Sequence, residues 1–302
     1  MPSWRKPFGA GSVRSLSNVL VSPTVFRPFM FRVACLLAVI ATLPVWGGGP
    51  TLSVGWLSDD NTSNSIRDQR DDSAVHAGIT YSTFRIIDRN WQGNLTFAAR
   101  TTQWQKWGGL DLSPVSAQVG VRRKFGFGPY APRLDLTFAA GHRFAATSER
   151  TSDFAVSTLS FNQRLTPSLN WHASADLERH DAKRAVFSTT RHMFRIGVDY
   201  DATEALRLSV NVAEGRGDLI SWCRVSWPEF QGKSPWFDGI FGGDWFPYQS
   251  MNRITSAQLS LAYALGRNAS FAATVDLSRS AGTAKPHLYY NEILTLQFIH
   301  AF

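Results

Sequence analysis

The sequence predicts an all-β chain: an antiparallel transmembrane β-barrel of about twelve strands. Three observations predict it. Apolar and polar residues alternate with a period of two through most of the chain after Pro50, the signature of half-buried strands. The connections between these segments alternate short and long, as in barrels with short periplasmic turns and longer extracellular loops. The chain is rich in aromatics, with 21 Phe and 11 Trp, and only 18% charged, while no uninterrupted apolar run after residue 50 reaches membrane-helix length. Low charge and many aromatics without a spanning helix fit a membrane only if strands do the spanning.

Residues 1–47 read as a targeting segment, and 48–302 as the barrel. Met30–Gly49 carries Arg32, an apolar block from Val33 to Val45, then small residues, the three parts of a secretory signal. Cleavage falls at Gly47 or Ala41, and Met30 is an alternative start. A transit peptide is the competing reading, since residues 1–29 are basic and lack acids. The formal charge of +8 includes five cations in residues 1–47, so the remainder carries only +3. Of the two cysteines, Cys35 lies in the targeting segment, which leaves Cys223 without a disulfide framework.

The strands are expected near 51–58, 73–86, 91–104, 113–125, 132–145, 153–165, 168–180, 186–200, 204–215, 251–265, 268–279 and 287–302. In 132–145, Leu134, Leu136, Phe138 and Ala140 share one face, and Arg133, Asp135, Thr137 and Arg143 the other. Leu206, Leu208, Val210 and Val212 face away from Arg207, Ser209 and Asn211 in the same manner. Short connections fall at 88–90, 126–131, 166–168, 201–203 and 266–268. Long ones fall near 59–72, 105–112, 146–152, 181–185, 216–250 and 280–286. A secreted sandwich or jelly roll would share the strand alternation but has no reason to alternate its loops.

With apolar faces toward lipid, the lumen receives Arg100, Arg122, Lys124, Arg133, Arg143, Arg164, Arg191, Arg195 and Arg207, together with Asp135, Asp176, Glu178, Asp199 and Asp276. These charges form either an internal salt-bridge network or a positively biased passage for anions. Arg133 with Asp135, and Arg195 with Asp199, are the expected pairs. Arg100, Arg122, Arg143 and Arg207 have no acid two positions away on their own face, so they are the candidate selectivity residues. The connection 216–250 holds Trp222, Trp227, Trp236 and Trp245, which read either as a self-packed lid or as a sugar-stacking surface.

Enzyme signals are weak. His172 and Ser174 are similar to the H-x-S pattern of barrel phospholipases, but the Asn-Gly that follows in that family is replaced by Ala175 and Asp176. His180 and Asp181 are adjacent on a strand and point to opposite faces. The sequence shows no nucleophile elbow, phosphate-binding glycine loop or zinc spacing, so no cofactor or metal is expected. Scattered basic residues give no nucleic-acid footprint.

The last segment runs as a strand to Phe302, with Leu294, Leu296, Phe298, His300 and Phe302 on every second position. A strand that closes a barrel must pair along its length, because lipid cannot satisfy a free edge. This segment resembles the C-terminal signature of bacterial outer-membrane β-barrels, in architecture over roughly 50–302 and as a motif over the last ten residues. The resemblance implies an outer-membrane location and recognition of Phe298 and Phe302 by the barrel assembly machinery. The expected partners are then outer-membrane lipid and small polar solutes, anionic or saccharide-like, passing through a channel. A barrel enzyme acting on lipid or surface polymers, and a plugged barrel serving export machinery, are the alternatives.

Overall fold

The computed structural model describes residues 48–227, 237–282 and 288–302. The expected targeting segment, residues 1–47, and Trp236 lie outside them. Twelve strands follow one another: β1 (Gly48–Asp59), β2 (Asp72–Ile86), β3 (Trp91–Trp104), β4 (Leu112–Lys124), β5 (Arg133–Ala145), β6 (Ser152–Arg164), β7 (Leu169–Ala182), β8 (Thr189–Asp201), β9 (Leu206–Arg224), β10 (Trp245–Ala264), β11 (Ala269–Gly282) and β12 (Leu288–Ala301). Each pairs antiparallel with the next, and β12 pairs with β1 from Thr51↔Ala301 to Asp59↔Ile293, so the sheet is a closed barrel. Closure satisfies both edges of the sheet, as a wall in hydrocarbon requires.

Register fixes which face each residue takes, because a one-residue slip would turn every side chain to the other side. The outward set includes Val119, Leu136, Phe138, Leu177, Phe194, Val210, Val212, Leu259 and Leu277, all solvent-accessible in the isolated chain. Nine such side chains spread around the wall form a belt, where a soluble sandwich would bury them. At about 25 cal/mol per Å² their exposure to water would be costly, and lipid removes that cost. Phe298 and Phe302 belong to the outward face: Phe298 stands opposite Val54 across the β12–β1 seam, and the backbone N–H of Phe302 donates to Pro50 O at 3.0 Å.

The connections 87–90, 165–168, 202–205 and 265–268 are short as the sequence indicates, but 125–132 is longer than 105–111, 146–151 and 183–188 at the other end. The connection expected at 216–250 is strand at both its ends. β9 runs on to Arg224 and β10 starts at Trp245, paired in register from Trp245↔Arg224 to Tyr263↔Leu206. The hairpin is therefore a long arm that continues past the rim of its neighbours. Short 3-10 turns at Gly108–Leu110, Ser148–Arg150 and Ala185–Phe187 sit at the same end.

Candidate functional site: the lumen and its lid

The lumen is built from the inward residues of all twelve strands and falls into three layers. In the middle, Arg195 Nη1 lies 3.3 Å from Asp176, which also accepts from Thr158 Oγ1 at 2.7 Å. His172 Nε2 lies 2.8 Å from Asn211 Oδ1, and its Nδ1 lies 3.6 Å from Asp199. Gly197 leaves the space for this contact: a Cβ there would collide with Asn211 Oδ1 and His172 Nε2. Asp199 also accepts from Asn170 at 3.2 Å and Ser209 at 2.7 Å. A half-buried charge is costly without a partner, and these have partners.

At the end with the short turns lies a cavity of about 710 Å³. Its wall carries six cations, Arg89, Arg122, Lys124, Arg133, Arg164 and Arg207, against three carboxylates, Asp88, Asp199 and Asp201. The turn between β4 and β5 contributes Gly128, Pro129 and Ala131 to the same wall. Gly126 and Gly128 take φ of +100° and +81°, a conformation that favours glycine, and so allow this tight turn.

At the opposite end a second cavity of about 300 Å³ is lined by Arg143, Arg150, Arg191, Asp59, Glu178 and Asp218, with Trp104 and Trp222. Its charges balance, three against three. Glu178 binds Arg191 and lies 2.6 Å from His180, whose Nε2 is 3.3 Å from Arg143. Above it, Arg150 donates to Gly109 O at 2.5 Å and stacks over Phe187 and Trp222, and burial lowers its pKa to about 10.

The β9–β10 arm closes this end. Trp222 N–H donates to Ser63 O at 3.0 Å, and Asn64 Nδ2 donates to Ile220 O at 3.1 Å, tying the arm to the β1–β2 loop. Gln249 Nε2 donates to Ser188 O at 2.6 Å, tying it to the β7–β8 loop. Arg224 binds Asp68 at 2.9 Å and Asp244 at 3.2 Å. Leu110, Phe187, Trp222, Phe241 and Trp245 then form a buried aromatic cluster, in which Trp107 meets Phe241 edge-on at 5.2 Å. Asp238 accepts from Trp222 Nε1 at 3.1 Å, and burial pushes its carboxyl up from the ordinary carboxylate value.

Several sequence expectations change here. Arg122 and Arg207 are not free: Arg122 binds Asp135 at 2.5 Å, directly across the β4–β5 ladder, and Arg207 binds Asp201 at 2.6 Å. Asp135 therefore goes to Arg122 and not to Arg133, and Arg195 goes to Asp176 and not to Asp199. For Asp135 the physical reason is that opposed residues on neighbouring strands lie closer than residues two apart on one strand. Asp176 sits diagonally from Arg195, next to its opposite Ser174 along the same face of β7. Arg143 contacts His180 beside Glu178, and Arg100 has no carboxylate partner among the described residues. Trp222 and Trp245 are 4% and 1% exposed, and Trp227 packs on Trp245 at 5.4 Å, so these rings form the core of a lid rather than an open stacking surface.

The enzyme patterns acquire structural roles. His172 engages Asn211 and Asp199, not Ser174. His180 points inward to Glu178 while Asp181 points outward to Arg179 at 2.9 Å. No group of His, Cys, Asp and Glu among the described residues is placed to hold a metal ion.

The chain is similar to an outer-membrane channel from Pseudomonas putida F1, with a TM-score of 0.54 and 8% identity over 86% of this chain and 97% of that one. The chain has the outer-membrane β-barrel fold. It is also similar to the NanC porin, with a TM-score of 0.45 and 9% identity over 83% of this chain and 99% of that one. LpxR from Salmonella typhimurium gives a TM-score of 0.41 and 10% identity over 83% and 100% of the two chains. No family model and no curated protein matches the sequence.

Proposed function

We propose that this barrel is an outer-membrane channel for small polar solutes, anionic or saccharide-like. The observation that carries the reading is the pair of cavities at opposite ends of one lumen, the larger with six cations to three carboxylates. Charges on low-dielectric walls focus their field along a narrow passage, so excess cations raise the local anion concentration. The β9–β10 arm is the gate of this channel in its closed position. The loop end then faces the exterior and the turn end the periplasm, with residues 1–47 serving export and the β12 strand serving recognition by the barrel assembly machinery.

Conductance of the purified barrel in a planar bilayer under a salt gradient tests this. The expected result is rare openings that favour chloride over potassium. A preference for potassium would overturn the assignment of the lumen charges. Silence that persists when the arm is released would favour a plugged barrel instead.

A further inference from the structure

Lys124 and Arg133 stand directly opposite one another on β4 and β5, both facing the lumen. Opposed residues of an antiparallel pair place their Cβ atoms about 4.5–5.5 Å apart, and like charges there are destabilising. One step deeper on the same two strands the ladder does the conventional thing: Asp135 stands opposite Arg122 and binds it at 2.5 Å. No carboxylate among the described residues reaches Lys124 or Arg133. Of the other acids of the cavity wall, Asp201 is taken by Arg207 and Arg164, Asp199 by Asn170, Ser209 and His172, and Asp88 accepts from the backbone N–H groups of Asn90 and Trp91 in its own turn. The β4–β5 wall thus carries three cations, Arg122, Lys124 and Arg133, against one carboxylate, Asp135, which Arg122 takes; Lys124 and Arg133 are half-buried beside it. A wall built for stability alone would put glutamine or a carboxylate at one of these positions.

We propose that Lys124 and Arg133 form a binding site for the anionic group, a carboxylate or a phosphate, of a small hydroxylated solute. The guanidinium of Arg133 presents a planar fork that matches two oxygens of such a group, and Lys124 adds a point charge from the opposite strand. The group supplies the charge that the ladder lacks and converts a repulsion into two charge-assisted contacts. Gln92 and Asn90, beside Lys124 on the cavity wall, meet the solute's hydroxyls. The volume of about 710 Å³ suits a ligand of monosaccharide size or somewhat larger. This site deepens the channel reading, on which its role in transport rests, by naming what the turn-end cavity holds.

The test is isothermal titration of the purified full-length barrel in detergent with glucuronate, inorganic phosphate and glucose, alongside bilayer recordings on the same preparation. Glucuronate or phosphate should bind and glucose should not, and the tighter of the two names the anionic group. Lys124→Gln and Arg133→Gln should each weaken binding about tenfold, the ratio that one charged contact commonly supplies. Lys124→Arg should retain it. Removing one of two like charges should leave heat-modifiable migration intact, so loss of binding is not loss of folding. Unchanged affinity in both Gln variants, or glucose binding as tightly as glucuronate, would overturn the site. Anion binding without current would keep the site and remove the channel reading. Current whose anion preference is unchanged in the double variant, with no probe bound, would keep the channel and remove the site.

Discussion

Phe241→Ala is the perturbation that addresses the lid most directly. Phe241 is 4% exposed and touches both sides of the closure: Trp222 at 5.3 Å and Trp245 at 5.7 Å within the arm, and Trp107 at 5.2 Å on the β3–β4 loop. Truncating a buried Phe to Ala costs about 3–5 kcal/mol. Part of that is contact within the arm, which travels with it when it lifts, so roughly 2 kcal/mol acts on closure itself. That corresponds to a rise of about thirtyfold in the ratio of open to closed arm. Trp222 and Trp245 belong to the ends of β9 and β10 that run beyond the rim of the neighbouring strands, so assembly should be preserved. Single-channel recording should therefore show open probability rising by an order of magnitude or more, with unitary conductance unchanged. An unaltered open probability would refute the argument that this aromatic cluster holds the mouth shut. Loss of heat-modifiable migration would show instead that the cluster belongs to the folding core.

Other expectations follow from the same geometry. Asp135→Asn frees Arg122 into the turn-end cavity and should increase chloride preference in a salt-gradient measurement. Its stability cost should stay near 1 kcal/mol by urea unfolding, since Arg122 is 41% exposed and the pair is partly screened. Replacing Phe298 and Phe302 by Ser should lower membrane yield of the assembled barrel, because both lie on the outward face beside the β1 seam; normal yield would count against it. Burial raises the Asp238 carboxyl, so the closed arm binds its proton more tightly than an open arm does. Closure should then strengthen as pH falls from neutrality into the carboxylate range, and Asp238→Asn should flatten the pH dependence of open probability.

Much of the fold was legible because alternation and loop length report the same architecture independently. Leu134, Leu136 and Phe138 reveal their outward face without any knowledge of their neighbours. The arm was less legible. Aromatic and polar residues around Trp222 and Trp245 lie outside the lipid belt, so the two-residue rhythm that marks the wall does not extend to them, and paired strand reads as loop. Alternation assigns the lumen charges to a face but says nothing of their partners. Asp135 is two residues from Arg133 in sequence yet belongs to Arg122, because the register of β4 against β5 decides the pairing. That register is a property of two segments together and is not written in either one. The same blindness hid the opposition of Lys124 and Arg133, which becomes visible only when the strands are laid side by side.

The unequal distribution of charge between the two cavities has an electrical consequence. One mouth carries an excess of fixed positive charge and the other is balanced. A conduit with charge concentrated at a single mouth accumulates mobile anions under one polarity of applied voltage and is depleted of them under the other. In the proposed channel, with the arm lifted, this makes the tube a diode: its current–voltage curve should bend, and the bend should sharpen as the salt is diluted and the Debye length grows past the width of the passage. The sign of the bend reports which mouth faces which compartment, so a single voltage ramp on oriented barrels reads out the direction in which the molecule is threaded through its membrane.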